Sequence, residues 1–383
     1  MVTAARSDYG HLGPVLAEVR AAPDLELRLF VAGSHLARRF GETVRLVEAD
    51  GWPIAARVDM GLESDASQAI ARAIGVGVAG FADALARERP DLLVVPGDRF
   101  EMLAAAVAAL PMLVPVAHLH GGEVTEGVID EQIRHAITKL AHLHFPAAPA
   151  YASRLRQLGE EPWRIHCCGA PGLDRFRTTR FLSRDALGAR LGLPLRRPTL
   201  LVTLHPVTLE VDDTAVHVDE ALAALGGVDA DLVVTYPGAD AASHQIIERL
   251  AAFADKREHV RLLPTLSDEV YASLLREADV MVGNSSSAII EAPSFGLPAV
   301  NIGSRQAGRL RAPNVIDVGY GRDEIAAGIR RALDPAFRRS LAGLANPYGD
   351  GHAAPRIVRV LREVELGPRL VRKRFVDLGP ADR

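Results

Sequence analysis

Cysteine is almost missing from this chain: two residues in 383, the adjacent pair Cys167 and Cys168. Two neighbours cannot build a disulfide framework, so the fold must rest on its apolar core, and a reducing cytoplasm is the expected setting. Aromatic residues are also sparse, at 5%. That argues against base-stacking nucleic-acid surfaces and sugar-stacking platforms, and leaves ligand recognition to polar contacts. The charge is nearly balanced, 44 basic against 48 acidic residues for a net of −4. No global field steers the chain toward nucleic acid or anionic membranes. No apolar run of about 18 residues and no signal peptide stand out, so no membrane partner is expected. The short basic run from Arg369 to Arg374 reads as a solvated tail. Residues 2–4 already read as strand, which suggests a natural start somewhat upstream.

What is present is alternation. Short β-rich apolar runs recur, each followed by a helical segment: LELRLFVAG (25–33), DLLVVPGD (91–98), VPVAHLHG (114–121) and WRIHCCG (163–169). Strands apolar on both faces and separated by helices specify a parallel sheet with helical cover. A second series follows: TLLVTLHP (199–206), ADLVVTYPG (230–238), VRLLP (260–264), DVMVGN (279–284), LPAVNIG (297–303) and NVIDVG (314–319). The Arg-rich, Pro-ended passage between the series reads as an interdomain link. The expected organisation is a Rossmann-like domain over 1–178, a second over 179–365, and a tail over 366–383 packing on the first domain. Together they predict the α/β GT-B architecture, two doubly wound domains whose carboxyl-end loops face a shared cleft.

Several motifs admit a structural and a functional reading. GVGVAG (75–80) matches the dinucleotide fingerprint, but the residues before it are helical in pattern, with Ser64 or Asp65 as N-cap, so its glycines serve close packing. The stretch HLHGGEVTEGVIDEQIRHAITKLAHLH (118–144) holds five histidines and four carboxylates. His118 and His120 share one strand face and, with Glu123 or His135, would suffice for a metal. An organic-substrate site fits better, because no cysteine ligand group, H-E-x-x-H or second H-x-H accompanies them. In the following helix Ile129, Ile133, Ala136, Ile137 and Leu140 form an expected buried stripe. Asp130 lies in the first turn, where the helix dipole already favours a carboxylate. His205 follows a strand at a carboxyl-end loop. In GNSSSAIIEAPSFG (283–296), Ser285, Ser286 and Ser287 end a strand and open a helix, offering hydroxyls and N–H groups to a diphosphate, with Glu291 within reach of a hydroxyl pair. Arg6 and Arg305 stand in comparable loops, where a guanidinium suits phosphate.

As a set, RSDYG (6–10), GDRFE (97–101), HLHGGE, IDEQIRHAITKLAHLH, HPVTLE (205–210), GNSSS with Glu291, NIGSRQAGR (301–309) and NPYGDG (346–351) resemble the hydrolysing UDP-N-acetylglucosamine 2-epimerases of sialic acid and related nonulosonate biosynthesis. The motifs run in family order over nearly the whole chain. The resemblance implies a GT-B fold, release of UDP with inversion at C2, no cofactor and no metal, and a homodimer or homotetramer. It further implies that Arg6, Asp8, Arg99, His205, Ser285, Ser286, Ser287, Glu291 and Arg305 hold the nucleotide sugar. Asp98, Glu123 and Asp130 are the implied acid/base groups, with His120 beside them. Two departures stand out. Animal bifunctional relatives read EGGE where this chain reads HGGE, and Gly238 replaces a typical asparagine.

The chemistry needs such a set. The C2 proton is barely acidic until C1–O cleavage develops oxocarbenium character, so leaving-group stabilisation and deprotonation must be coupled. Return of a proton to the opposite face requires at least two proton-transfer groups. Rival readings are a GT-B glycosyltransferase, a non-hydrolysing epimerase and a catalytically silent nucleotide-sugar sensor.

Overall fold

The computed structural model describes residues 1–38, 41–64, 66–196, 198–238 and 242–379. The chain divides into two compact units. Met1–Glu123, Asp130–Arg175 and the segment from Tyr348 onward form the first; Val124–Ile129 and Phe176–Pro347 form the second.

In the first unit β1 (Val2–Thr3), β2 (Leu29–Ala32) and β3 (Ile54–Val58) pair in parallel, as do β4 (Leu93–Pro96), β5 (Val116–Leu119) and β6 (Leu143–Phe145), with β1 lying beside β4. The strand order is therefore 3-2-1-4-5-6. Both faces are apolar: Val2, Phe30, Ala32, Val95 and Val116 enter one core, while Leu29, Val31, Val94, Ala117 and Leu119 enter another. This period-two division is what helical cover on both sides demands. The second unit repeats the order in a single parallel sheet, β12-β11-β10-β7-β8-β9, built from Thr199–Thr203 (β7), Asp231–Thr235 (β8), Val260–Leu263 (β9), Val280–Gly283 (β10), Ala299–Ile302 (β11) and Val315–Val318 (β12). Each unit thus has the α/β, Rossmann-like topology expected. In each, the strand order reverses beside the first strand, β1/β4 and β7/β10, where open α/β sheets bind ligands at the carboxyl ends.

Several expectations need correction. WRIHCCG is no strand: Pro162–Arg164 forms a 3-10 turn, and Ile165 alone bridges to His144. The boundary expected at residue 365 moves to Tyr348; the pattern also allowed the helix after Gly351 to cross back to the first domain, and the helix Ala353–Glu363 does belong there, its first N–H groups, of Ala353 and Ala354, donating to Asp174 at 2.9 and 2.6 Å. The basic run exposes Arg369, Arg372 and Arg374 as expected of a solvated segment, but its main chain is pinned. The buried Arg164 guanidinium donates to the carbonyls of Arg369, Leu370 and Arg372 at 2.8–3.1 Å, and Lys373 reaches the buried Glu160 at 2.7 Å. Glu160 also accepts from Lys139 and from His144, so three cationic or donor groups hold its carboxylate, and its pKa falls to about 2.

The helix expected around GVGVAG is present, but it corrects the expectation that no long apolar run stands out. Ser67–Glu88 is long and apolar enough to cross a membrane by length and composition. Its residues Ala73, Phe81, Ala84 and Leu85 are buried in the core of the first unit. GVGVAG lies inside it. A Cβ on Gly77 would come within 2.4 Å of Met60 and one on Gly80 within 2.8 Å of Val58, so these glycines allow close packing. Ala66 precedes the helix without a side-chain cap, and Asp65 lies outside the described residues.

Candidate functional site

At the carboxyl ends of β1, β4 and β5 the first unit gathers its predicted residues. Asp8 has a structural task beside its expected one. Its carboxylate turns back on the main chain, accepting from the N–H groups of Ala4 (2.8 Å), Ala5 (2.8 Å) and Tyr9 (3.0 Å), and so folds the turn from β1 into the helix Arg6–Ala21. Burial raises its pKa against those hydrogen bonds and Arg99. Arg6 opens the same helix, half-buried.

Arg99 follows β4 and is held by a residue the sequence reading left unassigned. Glu101, fully buried, accepts from Nε and Nη2 of Arg99 at 3.1 Å each. Burial pushes the Glu101 carboxyl up, and Arg99 opposes the shift. The fork fixes the guanidinium plane, which a lysine could not do.

Arg134, which helical i, i+4 spacing pairs with Asp130 as helix support, does more than that. Its side chain has no solvent exposure, and it donates to the carboxylates of Asp98 and Glu131 (2.7 Å) and to the main-chain carbonyl of Glu123 (3.0 Å). One guanidinium therefore joins the end of β4, the loop after β5 and the helix Asp130–Leu140. Arginine is buried only when charge and donors are matched, as here. Its burial also shifts the helix stripe: Arg134, Ile137 and Thr138 face inward, while Ile129 and Ala136 are exposed. Asp130 stands half-buried at the first position, one turn before Arg134, and His135 Nε2 lies 3.0 Å from a carboxylate oxygen of Glu131.

His118 and His120 part company. His118 is buried and donates from Nε2 to the Gly97 carbonyl at 2.7 Å, bracing the turn that carries Asp98; burial lowers its pKa to about 3. Its ring is thus a neutral strut. His120 has a left-handed backbone, φ 63°, and its Nδ1 lies 2.7 Å from Oε1 of Glu123. Gly122 makes this loop possible: with φ 78°, a Cβ there would meet the Tyr151 carbonyl at 2.5 Å. Among the described residues no cluster of three or more His, Cys, Asp or Glu is arranged to hold a metal.

In the second unit the reversal point between β7 and β10 carries the other predicted residues. The His205 N–H donates to Oδ1 of Asn284 at 2.7 Å, and Asn284 Nδ2 donates to the His205 carbonyl at 2.8 Å. This reciprocal pair locks the two strand ends together. Gly238 contributes through its backbone, its N–H donating to His205 Nδ1 at 3.0 Å, so a side chain at 238 is not needed to orient the ring. Arg305 and Gln306 both donate to the Asn284 carbonyl, at 3.3 and 2.8 Å. Asn284 is therefore the hub that places His205, the serines and the Arg305 loop, though the sequence reading passed over it.

The serines differ from expectation. The helix they open, Ser287–Ile290, is only one turn before a 3-10 turn over Ala292–Phe295, so its dipole is small. Ser287 is engaged on both sides, accepting from Tyr271 at 2.7 Å and donating to the buried Glu291. Ser285 accepts from the Ser287 N–H at 3.3 Å; Ser286 is partly exposed. Gly283 permits the approach, since a Cβ at its φ of 136° would fall 1.9 Å from the Thr203 carbonyl. The segment Val124–Ile129 packs here too: a Cβ on Gly127 would lie 2.8 Å from the Ser304 carbonyl and 2.9 Å from Arg305 Cα.

Comparison with known proteins identifies the family. Residues 17–362 match the family described as UDP-N-acetylglucosamine 2-epimerase. A UDP-N,N'-diacetylbacillosamine 2-epimerase (hydrolyzing) of Legionella pneumophila is 38% identical over 97% of each chain. A GDP/UDP-N,N'-diacetylbacillosamine 2-epimerase (hydrolyzing) of Campylobacter jejuni is 34% identical over 99% of this chain and 98% of its own. Among solved structures, the UDP-GlcNAc 2-epimerase of Neisseria meningitidis bound to UDP-GlcNAc shares the fold with a TM-score of 0.77, at 17% identity over 95% of this chain and 99% of that one. The motifs, the repeated Rossmann-like topology and these matches agree, and the chain belongs to the UDP-N-acetylglucosamine 2-epimerase family.

Proposed function

We propose that this chain is a hydrolysing NDP-sugar 2-epimerase, which converts a UDP-2-acetamido sugar and water to UDP and the free 2-epimeric sugar. The observation that carries the reading is full-length similarity to two relatives named for that hydrolytic reaction, at 38% and 34% identity. Both names specify diacetylbacillosamine, so a diacetamido-trideoxy donor is favoured over UDP-N-acetylglucosamine.

The work divides between the units. In the second unit His205, Ser285, Ser286, Ser287, Glu291 and Arg305 are the groups that suit a nucleotide diphosphate; in the first, Arg6, Asp8 and Arg99 are the binding groups. Asp98, His120, Glu123 and Asp130 handle protons. A base removes the C2 proton as the C1–O bond breaks and the diphosphate leaves with its electron pair, giving a glycal. Water then adds to C1 while a proton reaches C2 from the opposite face, so the net change is hydrolysis with inversion at C2. Support comes from Arg134, which holds the Asp98 carboxylate as an ion pair, and from the His120–Glu123 bond, which supplies a second proton-transfer locus.

Running the reaction in D2O with UDP-diacetylbacillosamine and UDP-N-acetylglucosamine tests the scheme. The expected product carries deuterium at C2; a product with protium there rejects elimination, and donors that stay intact reject the activity. Asp98→Asn is expected to abolish turnover while UDP still binds.

The exposed apolar residues Val76, Val107, Leu110 and Leu113, on and just after two helices that pack together, support a homo-oligomer. Light scattering of Val107→Lys with Leu110→Lys should show a smaller species. Free Cys167 and Cys168 suit a cytoplasmic setting.

A further inference from the structure

The loop after β5 sets an imidazole between a carboxylate and an unfilled acceptor. His120 Nδ1 lies 2.7 Å from Glu123 Oε1, and the Glu123 side chain is 2% exposed against 14% for His120. An ionised carboxylate only accepts, so opposite an ionised Glu123 the hydrogen lies on Nδ1, and the tautomer that this bond selects has its lone pair on Nε2. Nε2 is buried and has no hydrogen-bond partner among the described residues. The backbone of His120 is left-handed at φ 63°, a conformation costly for any residue with a Cβ, so the surrounding loop dictates it. Arg134 donates to the Glu123 carbonyl at 3.0 Å and Arg154 to the Gly122 carbonyl at 2.6 Å, pinning that loop from two helices. The other ring facing His120 is His11, with centroids 6.3 Å apart.

Resting on the proposed reaction, we infer that His120 and Glu123 act as one proton-transfer unit: Nε2 of His120 exchanges the proton with the sugar, and Glu123 is a positioning residue that fixes the tautomer and stabilises the imidazolium. The arrangement is that of a nucleophile-free acid/base dyad, in which the carboxylate works through the ring. Asp98, held separately by Arg134, then serves as the partner on the other face of C2. In the transfer the C2–H bond breaks, its electron pair enters the forming C1=C2 bond as the C1–O bond breaks and the nucleoside diphosphate leaves with that bond's pair, and the proton passes to Nε2; the reverse transfer, from an imidazolium to C2, is available to the same atom.

Two variants and their combination test the assignment. His120→Asn and Glu123→Gln should each lower kcat by ~10²–10⁴-fold with little change in KM, and the double variant should be no slower than the slower single. Both should fail at the same half-reaction, judged by whether each still converts a supplied glycal to free sugar. Losses that multiply in the double variant, or arrest at different halves, would show two independent groups and overturn the proposal. Nitrogen-15 NMR of the imidazole gives a readout that needs no turnover. The expected state of His120 is Nδ1–H with bare Nε2, lost in Glu123→Gln, and an Nε2–H tautomer in the unsubstituted protein overturns the assignment. Intact donors with unsubstituted protein would instead reject the proposed function, leaving the NMR result to decide the dyad.

Discussion

Replacing Arg134 by methionine removes a cation from a place that water does not reach. Its guanidinium is fully buried, while Asp98 and Glu131 keep side-chain exposures of 22% and 18%. Breaking a buried ion pair from one side costs ~3–5 kcal/mol, because the stranded charge loses its partner without regaining water. Partial exposure of the two carboxylates lets solvent take up some of that load, which favours the lower end of the range. For a unit of roughly 200 residues, each kcal/mol moves Tm by about 2–4 °C, so the first unit should melt about 6–12 °C lower. Calorimetry on the full chain would separate this from the second unit, whose transition should not move. Adding Asp98→Asn and Glu131→Gln to Arg134→Met should recover at least half of the loss, since no charge is then stranded. A Tm change below about 2 °C, or a triple variant less stable than Arg134→Met, would refute the reasoning.

Gly122→Ala should cost at least ~2 kcal/mol by denaturant unfolding, because its Cβ would lie 2.5 Å from the Tyr151 carbonyl at a left-handed φ; an unchanged midpoint would refute the steric argument. Acid should weaken the first unit from about pH 6.5 downward. His118, with a folded pKa of about 3, and His35 and His142, each about 4, stay neutral when folded but take up protons when unfolded, so each contributes up to ~1.4 kcal/mol of loss per pH unit until its folded pKa is reached. Asp8 and Glu101, whose pKa values are raised, act in the opposite direction above pH ~4 and offset part of this. Melting curves from pH 7 to pH 4.5 should show a falling Tm, with a shallower slope in His118→Gln. Deleting everything after Glu365 strips Arg164 of three carbonyl partners and Glu160 of Lys373, so the first unit should fail to reach its native melting profile, whereas Lys373→Met should give a partial loss.

Where the pattern is periodic, the sequence was legible. All six strand runs of the second series lie on strands: the four inner ones are buried on both faces and so rich in apolar residues, and the edge strands β9 and β12 keep enough apolar positions beside Arg261 and Asp317 to be read the same way. WRIHCCG misled for a reason specific to one residue: Arg164 turns inward to collect carbonyls from the C-terminal segment, a contact more than 200 residues away that no local window contains. The site motifs were visible as residue types at strand ends. Arg134, Glu101 and Asn284 were not, although each lies in or beside a quoted motif. A residue that binds other protein groups instead of a ligand has no spacing of its own, and its role exists only after distant loops are brought together. Asp8 adds a structural role that its motif does not announce: its carboxylate accepts three main-chain N–H groups at the start of the helix.

The return of the chain at Tyr348 also sets an order of events during synthesis. From Phe176 to Pro347 the second unit is nearly continuous, and its six strands leave the ribosome together. The first unit is begun earlier but lacks the helix Ala353–Glu363 and the strap that fills Arg164 until the last residues emerge. Domains usually fold in the order they are made. Here the half that starts first is the half that finishes last, and nascent chains arrested before residue 348 should hold a folded second unit beside a protease-sensitive first one.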